Sequence, residues 1–181
     1  MRYRQRVPGG DPCLPIRQFL YTTFLGLLLT LNQNQPMTPS PIVVQRLLYA
    51  PAAAVWQAIT DADAMRHWYF DLPAFKAEVG FRFQFTGGPE DRQYLHRCEV
   101  TEVVPGRRLT YSWRYDGYPG MSYVTFGLEP QGEATALTLT HTGLETISPG
   151  HADFARSNFE AGWDDIINRM LKEYVESATT A

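Results

Sequence analysis

The histidines and cysteines are the side chains in this sequence whose chemistry lies nearest neutral pH. His141 follows Leu137 and Leu139 at alternate positions, so it shares the apolar face of its strand. There its imidazole can hydrogen-bond a ligand or act as a general base, with Tyr111 or Glu102 as partner. The commoner role of such a histidine is structural, bonded to the helix or loop that covers it. His96 and Cys98 alternate with Tyr94 on another strand and can also point inward. His67, beside Trp68 at a helix end, is either a surface histidine or a residue at a cavity mouth. No third ligand of matching spacing joins them, so neither a metal nor a cofactor is expected. There is no G-x-S-x-G, no cysteine–histidine pair in a recognisable setting and no glycine-rich phosphate loop; Gly87-Gly88-Pro89 reads as a turn. Nucleophilic catalysis has little support, and His141 is the one, weak, catalytic candidate.

A binding cavity asks for less: apolar walls and a few inward polar groups. The candidate walls are Trp56, Trp68, Phe70, Phe83, Phe85 and Tyr111, with Trp113, Phe126, Trp163, Ile167 and Met170 facing them and His141 as the polar member. Each ring taken singly is more often packing than ligand contact. So many large rings on one concave face are nonetheless hard to interdigitate without leaving a void.

The elements that must position these groups are legible from periodicity. Phe159, Gly162, Trp163, Ile166, Ile167, Met170 and Tyr174 fall at spacings of three and four, which predicts one amphipathic helix from Ala152 to Glu176. Ser148-Pro149-Gly150 signals its start. Strands are expected at Ile42 to Tyr49, Phe75 to Val79, Phe81 to Thr86, Arg92 to Val104, Arg107 to Tyr115, Met121 to Glu129 and Thr135 to Thr142. Glycine- and proline-containing turns separate them, so neighbouring strands must be mostly antiparallel. Alternation gives each an apolar face, as in Phe81, Phe83 and Phe85, or Leu109, Tyr111, Trp113 and Tyr115. Between the first two strands, AAAVWQAI after Pro51 and DADAMRHW, ending at Trp68, predict two short helices parted by Thr60-Asp61. The expected class is α+β: a curved antiparallel sheet of about six to seven strands gripping a long C-terminal helix.

Composition limits the function. A chain of 181 residues, 44% hydrophobic and 19% charged, is an ordinary globular one. Arg2, Arg4, Arg6 and Arg17 against Asp11 give residues 1–36 a charge of +3, which leaves −6 on residues 37–181 within the total of −3. An acidic folded part gives no reason to expect nucleic-acid binding. Cys13 and Cys98 form no disulfide framework, so a reducing, cytoplasmic compartment is the default. Residues 1–36 have their own character, an Arg-rich start and then an apolar run from Phe19 to Leu31. The run is shorter than the ~20 residues a spanning helix needs. Met37 directly before TPSP and the first strand is read as the natural start; the alternatives are a signal or membrane anchor and a structured extension. The globular domain is taken as residues 37–181.

Four segments, APAAAVWQAITDADAMRHW (50–68), EVTEVVPGRRLTYSW (99–113), LTLTHTGL (137–144) and GWDDIINRMLKEY (162–174), resemble in order and spacing the START-like or SRPBCC superfamily. Within it, the chain is most similar to the domain related to the activator of heat-shock protein 90 ATPase, over about residues 42–176. The resemblance implies a helix-grip fold, with a cavity between sheet and C-terminal helix that often binds a hydrophobic small molecule. It leaves the ligand unnamed, because members differ widely in function. The leading expectation is therefore carriage, sensing or sequestration of a small hydrophobic or aromatic molecule. A cyclase- or hydrolase-type enzyme using the same cavity is the alternative. A co-chaperone role comes third: the eukaryotic activators that resemble this domain carry a separate N-terminal domain that engages the chaperone, and the 36 mostly irregular residues upstream cannot supply one. The edge strands leave oligomeric state open.

Overall fold

A computed structural model describes residues 40–89 and 91–179, and the expectations for residues 1–36 lie outside these. The first strand, β1 (Ile42–Leu48), leads through Ala50-Pro51 into α1 (Ala52–Thr60), where consecutive alanines favour helix. Asp61 ends α1 in an extended conformation and caps α2 (Ala62–Met65), its carboxylate accepting from the Ala64 amide at 2.8 Å. One residue thus stops one helix and starts the next. Trp68 follows, buried, its indole donating to the Ala58 carbonyl at 3.0 Å and locking the bend between the two helices.

The chain then forms β2 (Arg82–Gly87), β3 (Tyr94–Val104), β4 (Arg108–Tyr115), β5 (Ser122–Gln131) and β6 (Ala134–Thr142). They make one antiparallel sheet of six strands in the order β1-β6-β5-β4-β3-β2. Residues 75–79, expected as a strand, lie outside it. Val79 is 67% exposed, so the segment lacks a consistent apolar face, and Gly80 at φ 88° turns the chain onto β3, its amide N–H donating a hydrogen bond to the Val100 carbonyl at 2.8 Å. Phe75 still serves the core, edge-on to Phe83 at 5.0 Å. A bulge in β3 between Val100 and Glu102 adds to the sheet's curvature.

Register places the inward side chains in rows. Phe85, His96 and Tyr115 align across β2, β3 and β4, and the next row runs Phe83, Cys98, Trp113 and Ser122. Above them lies the C-terminal helix, which starts later than expected. Ser148 takes φ 34°, Ala152–Phe154 forms only a single 3-10 turn, and Ala155 is extended before α3 (Arg156–Asp165) begins. A π-helical stretch, Ile166–Leu171, then leads into α4 (Lys172–Thr179). Its buried row is Trp163, Ile167, Leu171 and Val175. Steps of four residues drift by about 40° on an α-helix, and the wider π turn takes up that drift so all four still face the sheet. Met170 and Tyr174, placed in the stripe by strict 3.6-residue spacing, are displaced to its half-buried flank. Burying the four contributes on the order of 10 kcal/mol before entropy is subtracted. Among the described residues no helix is long and apolar enough to cross a membrane.

Candidate functional site

His141 sits wholly buried on β6, directly under the helix. The Trp163 indole donates to its Nδ1 at 2.9 Å, and Ser122 Oγ lies 2.7 Å from Nε2. An indole N–H can only donate, so Nδ1 must be the unprotonated nitrogen and Nε2 carries the hydrogen, donating to Ser122. Ser122 passes its own hydrogen to the Trp113 carbonyl at 3.3 Å. Burial pushes the His141 pKa down to about 3, so the ring stays neutral. Both ring nitrogens are committed to holding helix, β5 and β6 together, and neither is free to take a proton from a substrate. The suggested partners are committed as well. The Tyr111 hydroxyl is paired with that of Tyr69 at 2.8 Å, and Glu102 is engaged by Arg108 at 3.3 Å and Thr110 at 3.2 Å.

Space opens elsewhere, toward one end of the sheet. A cavity of about 400 Å³ lies between the β2–β4 end and the start of the helix. The sheet supplies His96, Trp113 and Tyr115, and the loop after α2 supplies Phe70. Phe159, Gly162, Trp163 and Ile166 line it from the helix. The exposed lining residues Gly88, Pro89 and Asn158 mark its opening. The walls are braced by ring stacking: Phe70 lies on Phe85 at 4.2 Å, Phe85 on His96 at 4.3 Å, and Tyr115 on Phe154 at 4.2 Å. Gly87 makes room for this, since a Cβ there would stand 3.1 Å from the Phe70 ring.

Of the side chains expected as walls, this space receives Phe70, Trp113 and Trp163. Trp68, Phe83, Tyr111, Phe126 and Ile167 are packed in the solid core, and Phe85 backs the wall without lining it. Trp56 and Met170 are half-buried outside the cavity, and His141 lies beneath Trp163. His67 is exposed and stacks on Tyr174 at 5.9 Å, away from the opening. Tyr94, Tyr115, Asp153, Phe154, Phe159 and Ile166 enter the lining without having been expected there as walls. Tyr115, Phe159 and Ile166 already belonged to apolar patterns; the Gly87-Gly88-Pro89 hairpin pairs Phe85 with His96, but Tyr115 joins that row only through the β3–β4 pairing, whose register shifts at the bulge.

Polar groups are few. The Tyr94 hydroxyl donates to Asp153, and Arg92 Nη1 joins the same carboxylate at 2.9 Å. That hydrogen bond raises the Tyr94 pKa to about 12. Burial lowers His96 to about 4, an effect partly offset by the main chain at Phe85 and Tyr94. His96 Nδ1 and Trp113 Nε1 are both buried and closed to solvent, and neither meets a partner in full hydrogen-bond geometry among the described residues, although the indole lies within reach of the Tyr115 hydroxyl. Cys98, close by and unpaired, is held as a thiol by burial. Among the described residues no group of three or more His, Cys, Asp or Glu side chains gathers as a metal site would require. A larger concavity, about 600 Å³, lies on the outer face of the sheet around Arg82, Arg97 and Glu99. Its lining is charged and solvated, with Arg82 and Glu99 paired at 2.8 Å, so it does not suit an apolar guest.

Comparison with known proteins agrees with this fold. Among solved structures, CV1439 from Chromobacterium violaceum is similar at 25% identity and TM-score 0.65, over 76% of this chain and 98% of that one. DynU16, from the dynemicin biosynthetic locus, is 27% identical with TM-score 0.63 over 77% of this chain; the match spans about half, 48%, of DynU16. CalU16 from Micromonospora echinospora is 25% identical with TM-score 0.58, over 75% of this chain and 73% of that one. No curated protein matches the sequence. The profile described as Activator of Hsp90 ATPase homolog 1-like protein matches residues 49–176, from just after β1 into α4. The chain belongs to the Activator of Hsp90 ATPase homolog 1-like family, within the START-like (SRPBCC) superfamily.

Proposed function

We propose that the domain binds a small hydrophobic or aromatic molecule in the cavity between sheet and C-terminal helix, for carriage, sensing or sequestration. The observation that carries the reading is the aromatic-lined space of about 400 Å³ around Trp113, Phe159 and Trp163. Its size falls in the range typical of small-molecule sites, roughly 300–1,000 Å³. The position of DynU16 in a biosynthetic locus sets one protein of similar fold beside small-molecule metabolism. An enzyme built on His141 is the weaker reading, because the ring is neutral and both its nitrogens are engaged. A cytoplasmic location goes with the proposal, supported by the free buried Cys98.

Thermal-shift and native mass-spectrometric screening across aromatic metabolites and lipids tests it. A ligand at 100 times its dissociation constant adds about 2.7 kcal/mol of stability. Stabilisation that disappears when the helix wall is filled at Gly162 supports the proposal. A screen in which no apolar compound binds, or in which binding ignores the cavity walls, refutes it.

A further inference from the structure

One carboxylate stands among the rings of the cavity. Asp153 reaches the lining from the 3-10 turn that precedes α3, its side chain only 10% exposed. Among the described residues that line the space it is the only charged one, so the lining carries a negative charge and no positive one. A carboxylate drawn this far out of water needs partners, and its two oxygens are served unequally. The Tyr94 hydroxyl donates to Oδ2, and Arg92 Nη1 lies 2.9 Å from the same oxygen. Oδ1 receives no hydrogen bond among the described residues and, unlike the ring nitrogens of His96 and Trp113, it is not closed off. An acceptor with free lone pairs therefore remains open at the edge of an aromatic space.

The surroundings decide what a guest should bring to that oxygen. Arg92 is 56% exposed and outside the lining, so water screens its charge more than that of the carboxylate. An anionic guest would meet Asp153 with no cation in the lining to offset it. A neutral donor can answer Oδ1, but a charged donor does so about twice as strongly. The neighbouring rings favour a cation too: Phe154 packs on Tyr94 at 4.9 Å and on Tyr115 at 4.2 Å, all three line the space, and aromatic faces attract positive charge. Position moderates the cost of desolvation. Arg92, paired with the carboxylate, stands in water, so an ammonium head at Asp153 keeps part of its hydration while an attached ring enters beneath the helix. We infer that the ligand class is an amine bearing an aromatic ring, bound as its ammonium ion, with an N–H donated to Asp153 Oδ1 and the ring held among Trp113, Phe159 and Trp163. Asp153 is then the residue that sets which charge the cavity accepts.

This inference rests on the proposal that the cavity is a binding site, and the test separates the two. Equilibrium dialysis at pH 7.5 compares 1-naphthylmethylamine, present as its ammonium ion, with 1-naphthol and 1-naphthoate. One naphthalene ring thus carries in turn a cation, a neutral hydroxyl and an anion. The expected result is the ammonium ion binding roughly tenfold more tightly than naphthol, and naphthol more tightly than naphthoate. Asp153→Asn keeps an acceptor in the same place but removes the charge. It should hold naphthol affinity and bring the amine to within about threefold of naphthol. Should that variant misfold, the ranking of the three guests in the unaltered protein decides by itself. Amine binding no tighter than naphthol, naphthoate binding most tightly, or an amine preference that survives Asp153→Asn each overturns the assignment to Asp153 and leaves the container intact. Failure of all three guests to bind defeats the inference together with the reading beneath it.

Discussion

Acidification should destabilise this domain before its carboxylates begin to titrate, because two of its histidines are held neutral inside. His141 is pushed down to about 3 and His96 to about 4, each chiefly by burial. In the unfolded chain both return to about 6.5. Their folded pKa values are depressed, so the unfolded state binds more protons below pH 6.5 and stability falls as pH drops. The contribution is fully present above 6.5 and is lost progressively on the way down to the folded values. Each histidine costs about 1.4 kcal/mol per pH unit inside that window. Between pH 6.5 and 5 the loss is about 1.6 kcal/mol for each, or about 3 for both, a large share of a typical stability of about 5–15 kcal/mol. Urea denaturation at half-unit steps of pH measures it directly. His141→Gln retains an acceptor for Trp163 and a donor for Ser122, and should roughly halve the slope whatever it does to stability at pH 7.5. A pH-independent stability between 6.5 and 5 would refute the reasoning, since it would mean the folded protein accepts these protons freely.

Two further outcomes follow from the same network and its neighbour. Trp163→Phe leaves His141 Nδ1 buried without a donor, which should cost about 1–3 kcal/mol beyond the lost ring volume and raise the His141 pKa; ring-nitrogen NMR shifts followed through pH would show both protonation and tautomer. Asp153→Asn removes the charge that accepts the Tyr94 proton, so Tyr94 should ionise nearer its ordinary 10.0 than about 12, read by tyrosine Cζ shifts in an alkaline titration; an unchanged value would show that Asp153 is not the cause.

The sheet was readable because alternation is a local property. Phe83 and Phe85, or Leu137, Leu139 and His141, declare their face without knowledge of any partner strand, and the structure buries these side chains. The helix was readable except in its phase. A periodicity of 3.6 residues leads from Trp163 to Met170 and Tyr174, while the π stretch moves the buried positions one residue on, to Leu171 and Val175. Nothing in the local pattern announces that change of hydrogen bonding; it emerges from packing against the sheet. Residues 75–79 failed for a related reason: Phe75 is apolar because it plugs the core from a loop, and a loop can bury one ring without pairing its backbone.

The cavity was legible in kind but not in place. Phe70, Trp113 and Trp163 could be named from aromatic pattern and helix stripe, yet most of the expected walls interdigitate completely. Which rings meet and which stand apart depends on where along the sheet the helix crosses, and that is set by the irregular chain from Ser148 to Ala155. Asp153 reaches the site from that irregular stretch, beyond the reach of any periodicity argument.

Gly162 offers the most direct test of the claim that this space receives a guest. It lines the cavity from α3, and a Cβ built there would meet nothing within 4 Å. Gly162→Ala should stabilise the helix by up to about 1 kcal/mol and preserve binding. Gly162→Phe should fill the site, leaving the protein folded while 1-naphthol binding, measured by equilibrium dialysis beside the unaltered protein, falls at least tenfold. If the folded Gly162→Phe protein binds naphthol as tightly as the parent, the guest lies elsewhere and the central claim is contradicted.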